Sequence, residues 1–290
     1  MAERKYSRVR RCAVAAVLWS LTGLAMVLAI APTAAWAEDK APPAFPADQD
    51  AAREGLRIAR EADRRDQGFG DSVAHLKMIL TNRHGDTSVR ELTIKTLEVT
   101  APGLGDKSLV VFDRPRDIKG TALLTFSKIL KPDDQWVFLP ATKRVRRISS
   151  VNKSGSFMGS EFSYEDMSGQ EPGKYHHVFL RREPCGKLDC FVVERRPLYP
   201  YSGYTREIVW YDTAQYRVLK IDFYDRKNSR LKTLIAGRYK RYLGKFWRAH
   251  SLLMSNHQTG KKTRLLWSDF RFRTGLTDAN FTRTSIERIN

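Results

Sequence analysis

The sequence predicts a mainly β protein with a few helices, folded as an antiparallel meander or barrel. Three observations carry that expectation. Apolar and polar residues alternate at period two along many segments after Asp71. Turn-forming residues separate those segments at short, regular intervals. One stretch ahead of them, between Asp48 and Asp66, carries helix signals.

The chain opens on an export signal. Arg4, Lys5, Arg8, Arg10 and Arg11 face a single acid, Glu3, and an apolar stretch follows from Cys12 to Ile30. Pro32 breaks it, and Ala35-Trp36-Ala37 precedes Glu38 and Asp39. A basic segment, an apolar segment and an A-x-A site in that order read as a signal peptide over residues 1–37. The apolar run is near spanning length, so an uncleaved anchor is the competing reading; Pro32 and the A-x-A favour cleavage. Cys12 precedes the apolar run and is not placed as a lipidated residue, so the mature protein is expected to be soluble. Residues 38–47, rich in Pro and Ala, read as a linker, and residues 48–290 as a single domain.

Asp48 can cap a helix that runs to about Asp66, with Leu56 and Ile58 among charged residues and Gly68 and Gly70 beyond its end. Strands are then expected at Val73–Leu80, Val89–Val99, Lys107–Phe112, Gly120–Lys128, Gln135–Pro140 and Val145–Ile148. A second set follows at Tyr175–Arg182, Phe191–Arg195, Thr205–Tyr211, Val218–Tyr224, Leu231–Tyr242, Trp247–Met254 and Arg264–Phe272. Alternation puts Leu219, Ile221 and Phe223 on one face, and pairs Trp136 with Phe138. A sheet with a repeated greasy face must cover it with helices, with itself or with an apolar ligand. Cys185 and Cys190 bracket the turn Gly186–Asp189 between two strand-like segments. In an oxidising compartment they read as a disulfide, a staple worth roughly 2 kcal/mol for so short a loop.

The formal charge is +19; cleavage after Ala37 removes five basic residues and one acid and leaves about +15. Such a balance suits an anionic membrane surface, an acidic partner or simply a solvated sheet face. Nucleic acid is disfavoured by export and by the lack of a recognised motif. No H-E-x-x-H, Walker A loop or G-x-G-x-x-G occurs, and Gly155–Gly159 does not hold its Ser at the centre of a nucleophile elbow. Ser150-Val151-Asn152-Lys153 matches S-x-x-K, but the S-D-N and K-T-G elements that make it catalytic are missing. His176 and His177 are adjacent and face opposite ways on a strand, so no metal site is expected. An enzyme is the minority reading.

The most distinctive block runs from Asp113 to Met167. It contains Arg114-Pro115-Arg116-Asp117-Ile118-Lys119-Gly120-Thr121, Gln135-Trp136-Val137-Phe138-Leu139-Pro140 and Arg144-Val145-Arg146-Arg147-Ile148. It ends in Gly155-Ser156-Phe157-Met158-Gly159-Ser160-Glu161-Phe162-Ser163-Tyr164-Glu165-Asp166-Met167. This run resembles the LolA-like family of outer membrane lipoprotein-sorting proteins, in the branch associated with resistance-nodulation-division lipid exporters. The resemblance spans essentially the whole mature chain. It implies a curved antiparallel sheet forming an incomplete, half-open β-barrel around an apolar cavity, with a helical lid.

It also implies a periplasmic carrier of acylated lipoproteins or lipids, monomeric and without cofactor or catalytic group. An inner-membrane transporter and an outer-membrane acceptor are the expected partners, with transient contact at a membrane surface. A non-carrying accessory subunit of such a transporter is the alternative. Moving a sixteen-carbon chain through water costs on the order of 12 kcal/mol unless it is sheltered. Candidate cavity and lid residues are Leu124, Phe126, Trp136, Phe138, Phe157, Met158, Phe162, Tyr164, Leu219, Ile221 and Phe223, each also readable as ordinary core. Phe157 and Met158 are the sharpest, because Gly155 and Gly159 flank them in a loop. Arg144, Arg146 and Arg147 are candidates for headgroup or acidic-partner contact, against a solvated strand edge.

Overall fold

Period-two alternation resolves into thirteen strands. In a computed structural model, which describes residues 48–289, they are β1 (Asp71–Thr81), β2 (Thr87–Leu97), β3 (Leu104–Arg114), β4 (Ala122–Lys128), β5 (Asp134–Leu139), β6 (Arg144–Arg147), β7 (Tyr175–Cys185), β8 (Leu188–Pro197), β9 (Arg206–Asp212), β10 (Val218–Tyr224), β11 (Arg230–Tyr242), β12 (Phe246–Asn256) and β13 (Lys262–Phe272). The helices are α1 (Gln49–Asp66) and a short α2 (Arg283–Glu287). The expected signal peptide (1–37) and linker (38–47) lie outside the described residues. Among the described residues, no helix is long and apolar enough to cross a membrane.

All thirteen strands join one antiparallel sheet in the order β6-β5-β4-β3-β2-β1-β13-β12-β11-β10-β9-β8-β7. The first and last strands are therefore neighbours in the middle, and β6 and β7 are the two edges. So many strands cannot stay flat, because each is twisted against the next. Irregular registers in β1, β3, β7 and both ends of β10 add local bends. The result is a curved sheet that does not close.

Alternation gives the sheet two apolar faces. Val110, Phe112, Leu123, Val193, Val209 and Tyr211 join one large core, the inner face. Their sequence neighbours point outward. Leu109, Ala122, Leu124 and Phe138 meet Phe281 and Ile286 of the C-terminal segment, while Cys190, Val192, Ile208 and Trp210 form a third cluster. Cys185 and Cys190 are disulfide-bonded across the β7–β8 hairpin with a Cα–Cα distance of 5.9 Å.

Asp48 caps α1, its Oδ1 accepting from the Asp50 amide at 2.9 Å. Beyond the helix, Gly68 and Gly70 take positive φ, and their amides donate to the two oxygens of Glu98 at 2.7 and 2.8 Å. Ile58 is fully buried in the inner core, and the helix lies against β7. The contact is close because Gly55 has no side chain. A Cβ there would lie 2.7 Å from the Phe179 amide nitrogen and 2.8 Å from the Val178 carbonyl carbon. Backbone cannot yield as a flexible side chain can. Gly55→Ala is expected to destabilise the fold by about 1–3 kcal/mol through displacement of α1, read as a lower urea midpoint at unchanged slope.

Candidate functional site

Strands consecutive in the chain lie side by side, except β6 and β7: residues 148–174 join these opposite edges. A connection of that length without strands or long helices usually has a function of its own. Here it packs onto the inner face. Met158 and Gly159 both adopt left-handed backbone, with φ of 51° and 75°. The turn is closed by the Phe157 amide donating to Phe162 O at 2.7 Å and by Ser160 Oγ donating to Phe157 O at 2.7 Å. Phe157 and Phe162 are thereby driven inward; Phe157 is fully buried, with its ring 5.8 Å from that of Phe112.

Between this plug and the sheet lies an apolar cavity of about 180 Å³. Leu76, Met78, Leu92, Val110, Leu265 and Trp267 form its sheet wall, and Phe157, Phe162 and Met167 its cover. The volume is below the roughly 300–1,000 Å³ of small-molecule sites. With the plug seated, it admits only a short apolar segment.

Polar contacts fasten the plug. Lys232 on β11 donates to Asp166 Oδ2 at 2.5 Å and to Glu161 O at 2.9 Å, with both charged side chains almost wholly buried. Tyr204 donates to Asp166 Oδ1 at 2.7 Å, Asn256 to Glu161 at 2.7 Å, and Arg90 to Met158 O. Glu165 accepts from Tyr199 at 2.8 Å and from the Gly203 amide at 2.8 Å. Lys153 is buried with its ammonium 3.7 Å from the Tyr199 ring centre, and burial pushes its pKa down to about 8. That ring, rather than Ser150, is the partner that fixes it.

Of the eleven apolar candidates, Phe157 and Phe162 line the cavity, and Met158 and Tyr164 pack against the same core. Ile221 and Phe223 belong to the inner core but away from the cavity wall. Leu124, Phe126, Trp136 and Phe138 lie on the outer face, packed with the C-terminal segment. Alternation groups residues by face without saying which face is inner. Leu219 does not share a face with Ile221 and Phe223 as expected. It is an unpaired extra residue between Val218 and Lys220, which reverses the alternation, and it packs in the outer cluster with Trp210 and Tyr224. Arg144, Arg146 and Arg147 are exposed on edge strand β6, where Arg147 pairs with Asp134.

A second, polar chamber of about 670 Å³ opens beside the apolar cavity, between α1 and the sheet. Asp63 and Asp66 from α1, Asp106 from β3, Glu171 from the crossing segment and His177 from β7 line it. Burial, then the charges of Glu171, Glu98 and Asp66, push the Asp106 carboxyl up to about 7. Burial likewise holds His177 neutral, its pKa pushed down to about 4. Sequence reasoning missed this group because its members come from four distant elements. The sheet-wall residues Leu76, Met78, Leu92 and Leu265 were also missed as cavity lining, although their alternation was visible.

A family model described as "uncharacterized protein" matches residues 105–288. No curated protein matches the chain. Among solved structures, a domain named for outer membrane lipoprotein sorting, from Vibrio parahaemolyticus, is 52% identical; the match covers 82% of this chain and 100% of that one, with a TM-score of 0.79. A DUF1329 family protein from Desulfovibrio piger is 31% identical over 81% of this chain and 99% of its own, with a TM-score of 0.77. A LolA superfamily protein from Nitrosomonas europaea shares the fold at 21% identity, a TM-score of 0.65 and coverage of 79% and 98%. An unclosed sheet around a plugged apolar cavity, and two relatives matched over nearly their whole length, lead to one conclusion: the chain has a LolA-like fold and belongs to the family of the outer membrane lipoprotein-sorting domain and the DUF1329 protein.

Proposed function

We propose that this protein is a periplasmic carrier, not an enzyme, that shelters the acyl chain of a lipoprotein or lipid on its way towards the outer membrane. The observation that carries the reading is the apolar cavity between the inner face and the crossing segment, capped by Phe157, Phe162 and Met167. The signal peptide expected over residues 1–37 supplies the route out of the cytoplasm. Loading displaces the plug, so that the acyl chain takes the places of Phe157 and Phe162 against the sheet. Exposed Arg144 and Arg146 at the β6 edge suit contact with anionic headgroups or an acidic partner during docking. A non-carrying accessory subunit is favoured by one specific observation: Phe157 and Phe162 are already buried in the inner core, and the cavity beside them is only about 180 Å³.

Three measurements separate the readings. Protein purified from native membranes is extracted and analysed by mass spectrometry, and the purified protein is titrated with a fluorescent fatty acid. Co-purified lipid or acylated protein and saturable probe binding are expected; absence of both sinks the carrier. Phe157→Ala should lower stability by about 3–5 kcal/mol yet bind the probe more tightly, because the plug no longer competes for the inner face. A variant that melts lower without tighter binding assigns Phe157 to the core alone. Lys232→Met strands the buried Asp166 carboxylate and is expected to cost on the order of 3 kcal/mol and to speed probe uptake in stopped flow. Lys232→Met with Asp166→Asn should recover much of the stability but keep the faster uptake, since the fastening is still gone.

A further inference from the structure

The polar chamber beside the acyl cavity has one chemical bias. The Pro172 carbonyl lies 3.0 Å from His177 Nε2, so Nε2 must carry the ring proton and donate it. Nδ1 is then a bare acceptor lone pair. His177 is only 3% exposed, lines the chamber, and its Nδ1 has no hydrogen-bond partner among the described residues. A buried acceptor without a donor is costly. What satisfies it must bring N–H or O–H groups.

Among the acids that line the chamber, Asp106 stands without a cation. Asp106 accepts only the Val99 amide, at 3.0 Å through Oδ1. Glu171 shares Lys174 with Asp133, and Asp63 accepts from Gln67. Asp66 pairs with Arg248, and four of the six cations lining the chamber pair with acids outside it: Arg195 with Glu207 at 2.5 Å, Arg217 with Asp212 at 2.7 Å, and Arg64 and Arg65 with Glu61. Lys245 donates to Gln67 O, and Arg241 lies over Trp247 towards the β11–β12 turn. Among the described residues, Asp106 and Asp63 are the chamber's carboxylates without an ion pair, and His177 adds a bare imidazole nitrogen.

The chamber's lining adjoins that of the apolar site along the chain. Ser108, Met167 and Ser168 line the apolar cavity, while Asp106, Gly169 and Glu171 line the chamber. We propose that the chamber takes the ammonium group of an amine-bearing ligand, held by Asp106, Glu171 and His177 Nδ1, while the attached acyl chain enters the neighbouring cavity. The chain half of this assignment rests on the carrier reading. The ammonium half stands on the chamber alone, and an amine-headed lipid and a free amine share the chemistry.

The test is calorimetric titration of the purified protein with monomeric dihexanoyl phosphatidylethanolamine, dihexanoyl phosphatidylglycerol, phosphoethanolamine and a fatty-acid probe. The ethanolamine lipid should bind about tenfold tighter than the glycerol lipid of identical chains. Asp106→Asn keeps an acceptor for the Val99 amide and removes the charge. It should abolish the preference.

Equal affinity for the two lipids, or a preference that survives in Asp106→Asn, overturns the ammonium chamber even where the fatty-acid probe binds. Binding of phosphoethanolamine that depends on Asp106, with no probe bound, supports the chamber as a site for a free amine and sinks the acyl carrier. The unliganded variant gives an independent check. An acid whose folded pKa is raised destabilises the fold as pH climbs from its unfolded value near 4 through about 7. Asp106→Asn should melt higher than wild type at pH 8 and equally at pH 4. Equal melting at both pH values means that burial and the neighbouring carboxylates put no cost on the Asp106 charge for a cation to relieve, and overturns the proposal.

Discussion

Burial of Phe157 against the inner face is the interaction on which the rest of the structure depends. A sheet whose first and last strands pair in its middle has two distant edges, β6 and β7, and the chain must cross from one to the other. Crossing in solvent would leave the inner face bare. Crossing over that face with Phe157 and Phe162 turned inward covers it and ties the edges together. Left-handed backbone at Met158 and Gly159 is a local cost accepted for that placement. The same segment that completes the core can leave it without breaking any pair among the thirteen strands.

Polar chemistry divides along the same line. Exposed ion pairs such as Arg64–Glu61 and Arg147–Asp134 add little, because water and salt screen them. The buried pair Lys232–Asp166 is different. It joins the crossing segment to β11, and each member has further hydrogen bonds that help offset desolvation. Glu171 plays a related part at the far end. Its carboxylate lies where Gly105 and Gly169 leave room, since a Cβ on either would fall 1.7 or 2.1 Å from Oε1. The crossing segment is thus fixed by specific polar contacts at several points, while its apolar centre makes contacts that another apolar group can replace.

Much of the fold was legible because strands announce themselves locally. Alternation and turn residues identified all thirteen, and Asp48, Gly68 and Gly70 marked the ends of α1. The hairpin staple was legible from the spacing of Cys185 and Cys190. Face assignment failed where it depended on distant events. Leu124, Phe126, Trp136 and Phe138 are covered by Phe281 and Ile286, a C-terminal segment far along the chain. Leu219 was misplaced by a single unpaired residue that no composition rule reveals. Phe157 stood out because Gly155 and Gly159 flank it in a loop, where an ordinary core residue is less expected; it is fully buried and also lines the cavity. The polar chamber left no local trace, since Asp63, Asp106, Glu171 and His177 meet only once the sheet is wound.

In the carrier reading, this arrangement sets the energetics of exchange. Withdrawing Phe157 and Phe162 from the inner face forfeits about 1.5–3 kcal/mol of hydrophobic stabilisation for each. At about 0.8 kcal/mol per methylene, some four to seven methylenes entering in their place restore it. The plug and a short length of acyl chain are therefore nearly matched competitors for the same surface. A carrier needs that balance, because a site that bound the chain far more tightly than its own plug would load but not release. The methylenes beyond those few, together with a headgroup in the adjoining chamber, then tip the exchange towards the loaded form. Return of the plug aids delivery once an acceptor takes the chain.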